Sequence, residues 1–325
     1  MNSRELVRKT ILGENNTGIT PMYGWVHLNL EKEITERFGS VRNFEDTYEF
    51  DMAHIFGGPY PFNGREIQKL RDDGEEITPE ILLSIPLNDV DDEAEYQNIR
   101  AELAHHRDAR GRFCYMQTNG IFEALNDPFG IENHLCWMAL YPDELMEVYR
   151  RQKDWNLRFI QNTLDLGIDM VHISDDWGAQ NSLLFSPQTW REMIYPLHRE
   201  MVAAAHAGGA LASLHSDGDV NAVLDGIVDI GFNLIHPYQE TANMSYDTYL
   251  DKYQDSFAIL GGLCIQSTLG FGNYARLESE MRRVFNLLKG KRWIFCTTHF
   301  VQDHCTMDEL VFAYDLAMQL SGKKS

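Results

Sequence analysis

A chain of 325 residues can hold two small domains or one large α/β barrel, and 44% hydrophobic residues with 11% aromatics supply enough core to set disorder aside. The formal net charge of -21 leaves no basic footprint for nucleic acid or an anionic membrane surface, and names no partner by itself. Five cysteines (Cys114, Cys136, Cys264, Cys296 and Cys305) are scattered, with no Cys-x-x-Cys, which argues against a disulfide framework or a zinc ribbon.

Residues 2–12 read as a short helix. Arg4, Glu5, Arg8 and Lys9 are followed by no apolar run, so no signal peptide is expected, and no stretch is long enough to span a membrane. A cytoplasmic protein with reduced thiols is the expectation. The apolar stretch 19–26 predicts a first strand. Residues 58–98, rich in Pro, Gly and acidic side chains such as Asp89-Val-Asp-Asp-Glu93, read as an irregular insertion. Tyr115–Thr118 reads as a strand. Pro142 then opens a long helix with Leu145, Val148, Trp155 and Phe159 on one face. A strand at 170–174 follows, and Pro187 opens a second helix carrying Trp190, Ile194, Leu197 and Met201. Strands at 211–214, 233–236, 257–260 and 293–296 come next. Helices ending near 230, spanning about 246–254, carrying Leu277, Met281, Val284 and Leu288, and running 307–320 separate and follow them.

Such alternation requires a parallel sheet with helical crossovers. With some eight units and no linker, a closed (β/α)8 TIM barrel forming one domain over residues 1–325 is favoured over an open doubly wound sheet. No Gly-x-Gly-x-x-Gly follows the first strand. The superficially similar Gly270-Phe-Gly272-Asn-Tyr-Ala275 reads as a turn before a helix.

Polar groups gather just past the strands. These are Asp175, Asp176 and Gln180; His215 and Asp217; Tyr238, Gln239 and Glu240; Cys264 and Gln266; and His299, Gln302, Asp303 and His304. In a barrel those ends form one rim, where barrel enzymes place their chemistry. His215 and Asp217 alone could be a backbone-bonded histidine and a helix cap. Five agreeing loops favour a site, with two metal ligands or an acid/base pair. Asp175 and Asp176 cannot both sit cheaply as anions in one pocket, so one is expected to bind backbone amides while the other faces the cavity. His172 lies within its strand and reads as a core histidine or one supporting the site. His304 and Cys305 read as loop residues, and Trp177 as either wall or stacking platform.

Together these motifs resemble the uroporphyrinogen decarboxylase superfamily, in its branch related to cobalamin-dependent methyltransferases. The stretches carrying the resemblance are Gly120-Ile-Phe-Glu123, Asp175-Asp-Trp-Gly-Ala-Gln180, Ser186-Pro-Gln-Thr-Trp-Arg-Glu192 with Pro196, and His215-Ser-Asp-Gly-Asp-Val220. Pro237-Tyr-Gln239, Gly261-Gly-Leu-Cys-Ile-Gln266 and Thr298-His299 continue the series. The decarboxylases grip substrate carboxylates with an N-terminal Arg-Gln-Ala-Gly-Arg stretch. The corresponding region here, Tyr23-Gly-Trp-Val-His-Leu28, has no arginine, which counts against a tetrapyrrole substrate.

The methyltransferases of the family bind zinc through a His-x-Cys pair and a third ligand near the last strand. The resemblance implies His215 as the histidine, Asp217 at the cysteine position and His299 as third ligand. Two imidazoles and one carboxylate suit zinc and other divalent metals alike. Glu123, Asp176, Glu240 and Cys296 are candidates to complete the site. The implied activity is metal-assisted methyl transfer between a small thiol, alcohol or methoxy compound and a corrinoid. Asp176 and Gln239 would orient substrate and Glu240 carry a proton, with Tyr23, Trp25, Trp177 and Glu123 as substrate contacts. Asp51-Met-Ala-His54-Ile-Phe-Gly57 misses the corrinoid signature Asp-x-His-x-x-Gly by one residue, so a separate corrinoid protein is the expected partner. The alternatives are a decarboxylase of a smaller carboxylated substrate, and a binding protein that has lost the chemistry.

Overall fold

Seven parallel strands pair in chain order: β1 (Met52–Ile55), β2 (Phe113–Asn119), β3 (Met170–Ser174), β4 (Leu211–His215), β5 (Leu234–His236), β6 (Ala258–Leu263) and β7 (Trp293–Thr297). The computed structural model describes residues 1–26 and 29–323, so His27 and Leu28 of the Tyr23–Leu28 stretch lie outside the described residues. Nearly every strand position is buried, as expected for a sheet covered by helices on one face and filled with side chains on the other. The sheet curls into a TIM-barrel-like α/β fold.

Eight strands were expected, and seven form among the described residues. The 19–26 segment is extended but makes only one β-bridge, Met22 to Phe295. Tyr23 N donates to Phe295 O (2.8 Å) and Phe295 N to Pro21 O (3.0 Å), while Asp51 N, just before β1, donates to Met22 O (2.9 Å). The segment therefore bonds both edges of the sheet without becoming a regular strand. Pro21 contributes no N–H to a ladder. The last helix, Met307–Ser321, seals this seam: Tyr314 Oη donates to Tyr23 O at 2.9 Å. A Cβ on Gly24 would fall 1.7 Å from Tyr314 Oη, so only glycine fits there.

The crossover helices follow the sequence reading, including Pro142–Asp165, Tyr195–Ala207 and Tyr274–Leu288, the last capped by Asn273. The 58–98 region corrects it. Two helices form there, Gly64–Asp72 and Pro79–Ser84, because Asn63 and Thr78 accept hydrogen bonds from the first-turn amides and Pro79 suits the first helical position. The structure adds β1 and the helices Glu31–Phe38, Val41–Thr47 and Ile131–Leu140 to the elements expected from the sequence.

Candidate metal centre at the barrel rim

Register sets the level of the site. Ser174 pairs with His215 and His215 with His236, so β3, β4 and β5 end side by side. The loops after β3 and β4 are then fastened together. Asp217 N donates to Asp176 Oδ1 (2.7 Å), Trp177 N to Ser216 Oγ (3.0 Å) and Asp219 N to Ala179 O (2.8 Å). Gly178 and Gly218 interlock beneath these bonds. A Cβ on Gly178 would meet Asp217 O at 2.7 Å, and Gly218 holds a positive φ of 83°.

Among the described residues, two groups bring ligand atoms within 4.8 Å of one another. One is His215, Asp217 and His299; the other is His172, His215 and His236. In the first, His299 Nε2 lies 3.9 Å from Asp217 Oδ2; outside the group, Asp176 Oδ1 lies 3.8 Å from His215 Nε2. Asp217 Oδ1 is buried and, among the described residues, has no hydrogen-bond partner, a costly state for a carboxylate oxygen unless a cation or ligand meets it. Burial holds His299 below its ordinary pKa, against the opposing pull of Asp217, which favours the ring form that can offer a lone pair. The donor set fits a divalent cation, with two imidazoles, one carboxylate and open coordination positions. A cavity of about 580 Å³ opens beside it, lined by Asp217, Gln239, Gln266, His299, Gln302 and His304 among others, with no lysine or arginine among the described lining residues.

The other candidates fall in different places. Asp175 is the carboxylate that binds amides: it is fully buried and accepts from the backbone N–H groups of Ile121, Phe122 and Glu123 (2.9, 2.9 and 2.6 Å) and from His198 Nε2 (2.7 Å). Asp176 faces His215, its pKa raised by burial and by the charge of Asp217 against the pull of His215. Glu123 accepts from Ser174 Oγ at 2.8 Å, and burial, reinforced by the charge of Asp176, pushes its carboxyl up to about 7. Gln239 lines the cavity, with Nε2 3.5 Å from Cys264 Sγ.

Trp25 sits at the centre: its ring centroid lies 4.7 Å from His236, 5.6 Å from His215 and 6.1 Å from His299, and its Nε1 donates to Tyr115 Oη at 2.6 Å. Tyr23 is buried against Phe50 and Tyr115, away from the 580 Å³ cavity. Trp177 is fully buried between Trp190 and His198, which makes it wall rather than platform. Glu240 is exposed, outside the cavity lining, and ion-paired with Arg283. Cys296 is buried inside the barrel, its thiol pushed well up by burial, and belongs to neither ligand group. His304 does line the cavity, with Nε2 2.9 Å from Ile265 O. His236, passed over as the end of a strand, packs against His215. Its signal was available, since it ends β5 as His215 ends β4.

A TIM-barrel-like α/β protein with a histidine- and carboxylate-bearing rim at the C-terminal strand ends is an enzyme-type architecture. The chain belongs to the uroporphyrinogen decarboxylase (URO-D) family, whose model matches residues 127–316. No protein of curated function matches it. Among solved structures it is similar to a methyltransferase from Methanosarcina mazei at 12% identity and a TM-score of 0.71, over 98% of this chain and 99% of that one. A B12-independent methionine synthase from Shewanella sp. W3-18-1, in complex with selenomethionine, matches at 8% identity and a TM-score of 0.53, over 94% and 93% of the two chains. A sugar phosphate isomerase/epimerase from Parabacteroides distasonis matches at 9% and 0.52, over 95% and 96%. At these identities the likeness is one of fold.

Proposed function

We propose that the chain acts as one barrel domain that binds a divalent metal, zinc or a similar ion, through His215, Asp217 and His299. The proposed reaction moves a methyl group between a small thiol, alcohol or methoxy compound and a corrinoid carried by a separate protein. The convergence of those three donors from two distant loops, around a carboxylate oxygen left unpartnered among the described residues, is the observation that carries this reading. Family membership and the overall likeness to the Methanosarcina methyltransferase support it.

A bound divalent ion supplies Lewis-acid polarisation of the substrate heteroatom. The protein's own groups do the rest. Asp176 holds the amide of Asp217 and so sets the height of that carboxylate. Gln239, Gln266 and Gln302 offer carboxamide donors and acceptors to an uncharged substrate. Glu123, with a carboxyl near 7, can hold or release a proton at neutral pH. Glu240 has no part in this scheme. Carboxylates at the rim, without a lysine or arginine among the described lining residues, disfavour anionic substrates and hence the decarboxylase alternative.

The test is metal uptake by purified protein, wild type beside His215→Ala and Asp217→Ala, followed by demethylation of small methoxy compounds with an added corrinoid protein. One equivalent of metal is expected for wild type, with affinity falling by more than about 100-fold in either variant. Wild-type protein that takes up no divalent metal on reconstitution refutes the reading. Carbon dioxide release from a small carboxylated substrate without metal would put the lyase in its place.

A further inference from the structure

His236 is fully buried at the end of β5, and its two ring nitrogens have different partners. Nε2 lies 3.2 Å from the carbonyl oxygen of Thr297, the last residue of β7. Nδ1 lies 2.8 Å from Nδ1 of His215. A carbonyl only accepts, so Nε2 of His236 carries a hydrogen and donates it. The short contact between the two Nδ1 atoms needs one hydrogen between them, since two facing lone pairs would repel.

That hydrogen has two possible owners. On His236 it would create an imidazolium at a fully buried position where, among the described residues, no carboxylate pairs with the ring. The ring faces Trp25 and two other imidazoles instead. Desolvation without a counter-ion opposes that charge. The hydrogen therefore belongs to His215, whose Nδ1 donates to His236. With Nδ1 of His215 committed as donor to His236, the nitrogen left to meet a ligand is Nε2, on the Asp176 side.

We propose that His236 is a positioning residue: it fixes the tautomer and tilt of His215 and so presents the Nε2 lone pair to a divalent cation held with Asp217 and His299. The hydrogen-bond chain runs from His215 through His236 to the backbone of β7, the strand that leads directly to His299. One chain thus ties the ring of the first ligand to the element that carries the third. The inference rests on the metal reading above. The competing arrangement, an ion seated among His172, His215 and His236, gathers three imidazoles with no carboxylate in the group to offset a dication. It would also have to break one of the two hydrogen bonds of His236, to His215 or to Thr297 O.

Long-range 15N–1H correlation spectra of the metal-free wild type test the tautomers directly. Nδ1 of His215 and Nε2 of His236 are expected to be protonated, with the other nitrogen of each ring bare. Zinc competition titrations on His236→Leu and His236→Asn test the consequence. The leucine variant is expected to weaken zinc binding by about 10–100-fold, as loss of a partner behind a metal-bound histidine does elsewhere. The asparagine variant can place Oδ1 where Nδ1 stood and accept from His215, so it should recover most of that loss. A bare Nδ1 on His215, or a folded His236→Leu protein that binds zinc as wild type does, overturns the proposal. Zinc that shifts His172 and His236 but leaves His299 unmoved overturns it too. Wild type that takes up no zinc sinks the metal reading instead. The spectrum of the metal-free protein alone then upholds or overturns the relay.

Discussion

Replacing Asp175 by alanine tests the base on which the rim stands. Its two oxygens accept four hydrogen bonds, from three consecutive amides at 121–123 and from His198, all at 2.9 Å or less. Burial opposes the charge, but the bond and charge of His198 and the amide dipoles outweigh it and hold the carboxyl below its ordinary pKa. Truncation leaves four donors without an acceptor in a water-poor position. Each orphaned donor costs about 1–3 kcal/mol, and entry of water relieves part of that, so the expected loss is about 4–6 kcal/mol. A loss of that size approaches the whole stability of an ordinary domain, about 5–15 kcal/mol. Asparagine should do little better, because its amide nitrogen would face donors rather than accept from them. Urea unfolding midpoints at unchanged slope measure the loss, and hydrogen exchange at Ile121, Phe122 and Glu123 locates it. A loss below about 1.5 kcal/mol with those amides still protected would refute the reasoning.

Two further outcomes follow from the same geometry. Glu123 has its carboxyl raised from 4.5 to about 7, so between those values the native state keeps a proton that the unfolded chain has released. Stability therefore falls as pH rises through that window, by about 3 kcal/mol once complete. In chelator-treated protein, Glu123→Gln should abolish this slope and be the more stable form at about pH 8; parallel pH profiles for the two proteins would contradict it. Gly178→Ala puts a methyl group 2.6 Å from Asp219 N and 2.7 Å from Asp217 O, where only backbone can yield. Asp217 must then move, so zinc affinity should drop about tenfold or more together with the thermal midpoint. An alanine variant matching wild type in both would remove the interlocked glycines from the account.

Much of the architecture is local and was legible. Pro142 and the apolar spacing after it mark a helix whichever way it later packs, and the strand–helix alternation from 170 onward leaves few topologies. β1 was missed because Met-Ala-His-Ile is four residues long and buried throughout, so it shows no alternation. The 19–26 segment looked like a strand because it is apolar, while Pro21 and the seam with Tyr314 govern its pairing. At the site, the chemistry-bearing loops stood out, but side chains one residue apart went to different worlds. Gln239 lines the cavity while Glu240 turns outward to Arg283, and Asp175 is sunk under amides while Asp176 faces His215.

By its composition and periodicity alone, the chain specified strands alternating with helices and a rim rich in ionisable groups, since both properties are written in near neighbours. Which of those groups meet was decided by closure of the sheet. It brings His215 to His299 across 84 positions of chain, seats His236 behind His215, and wedges Gly178 against Gly218. Such contacts join residues far apart along the polypeptide, and a side chain's direction at a strand end depends on the neighbouring strand's register rather than on its own sequence.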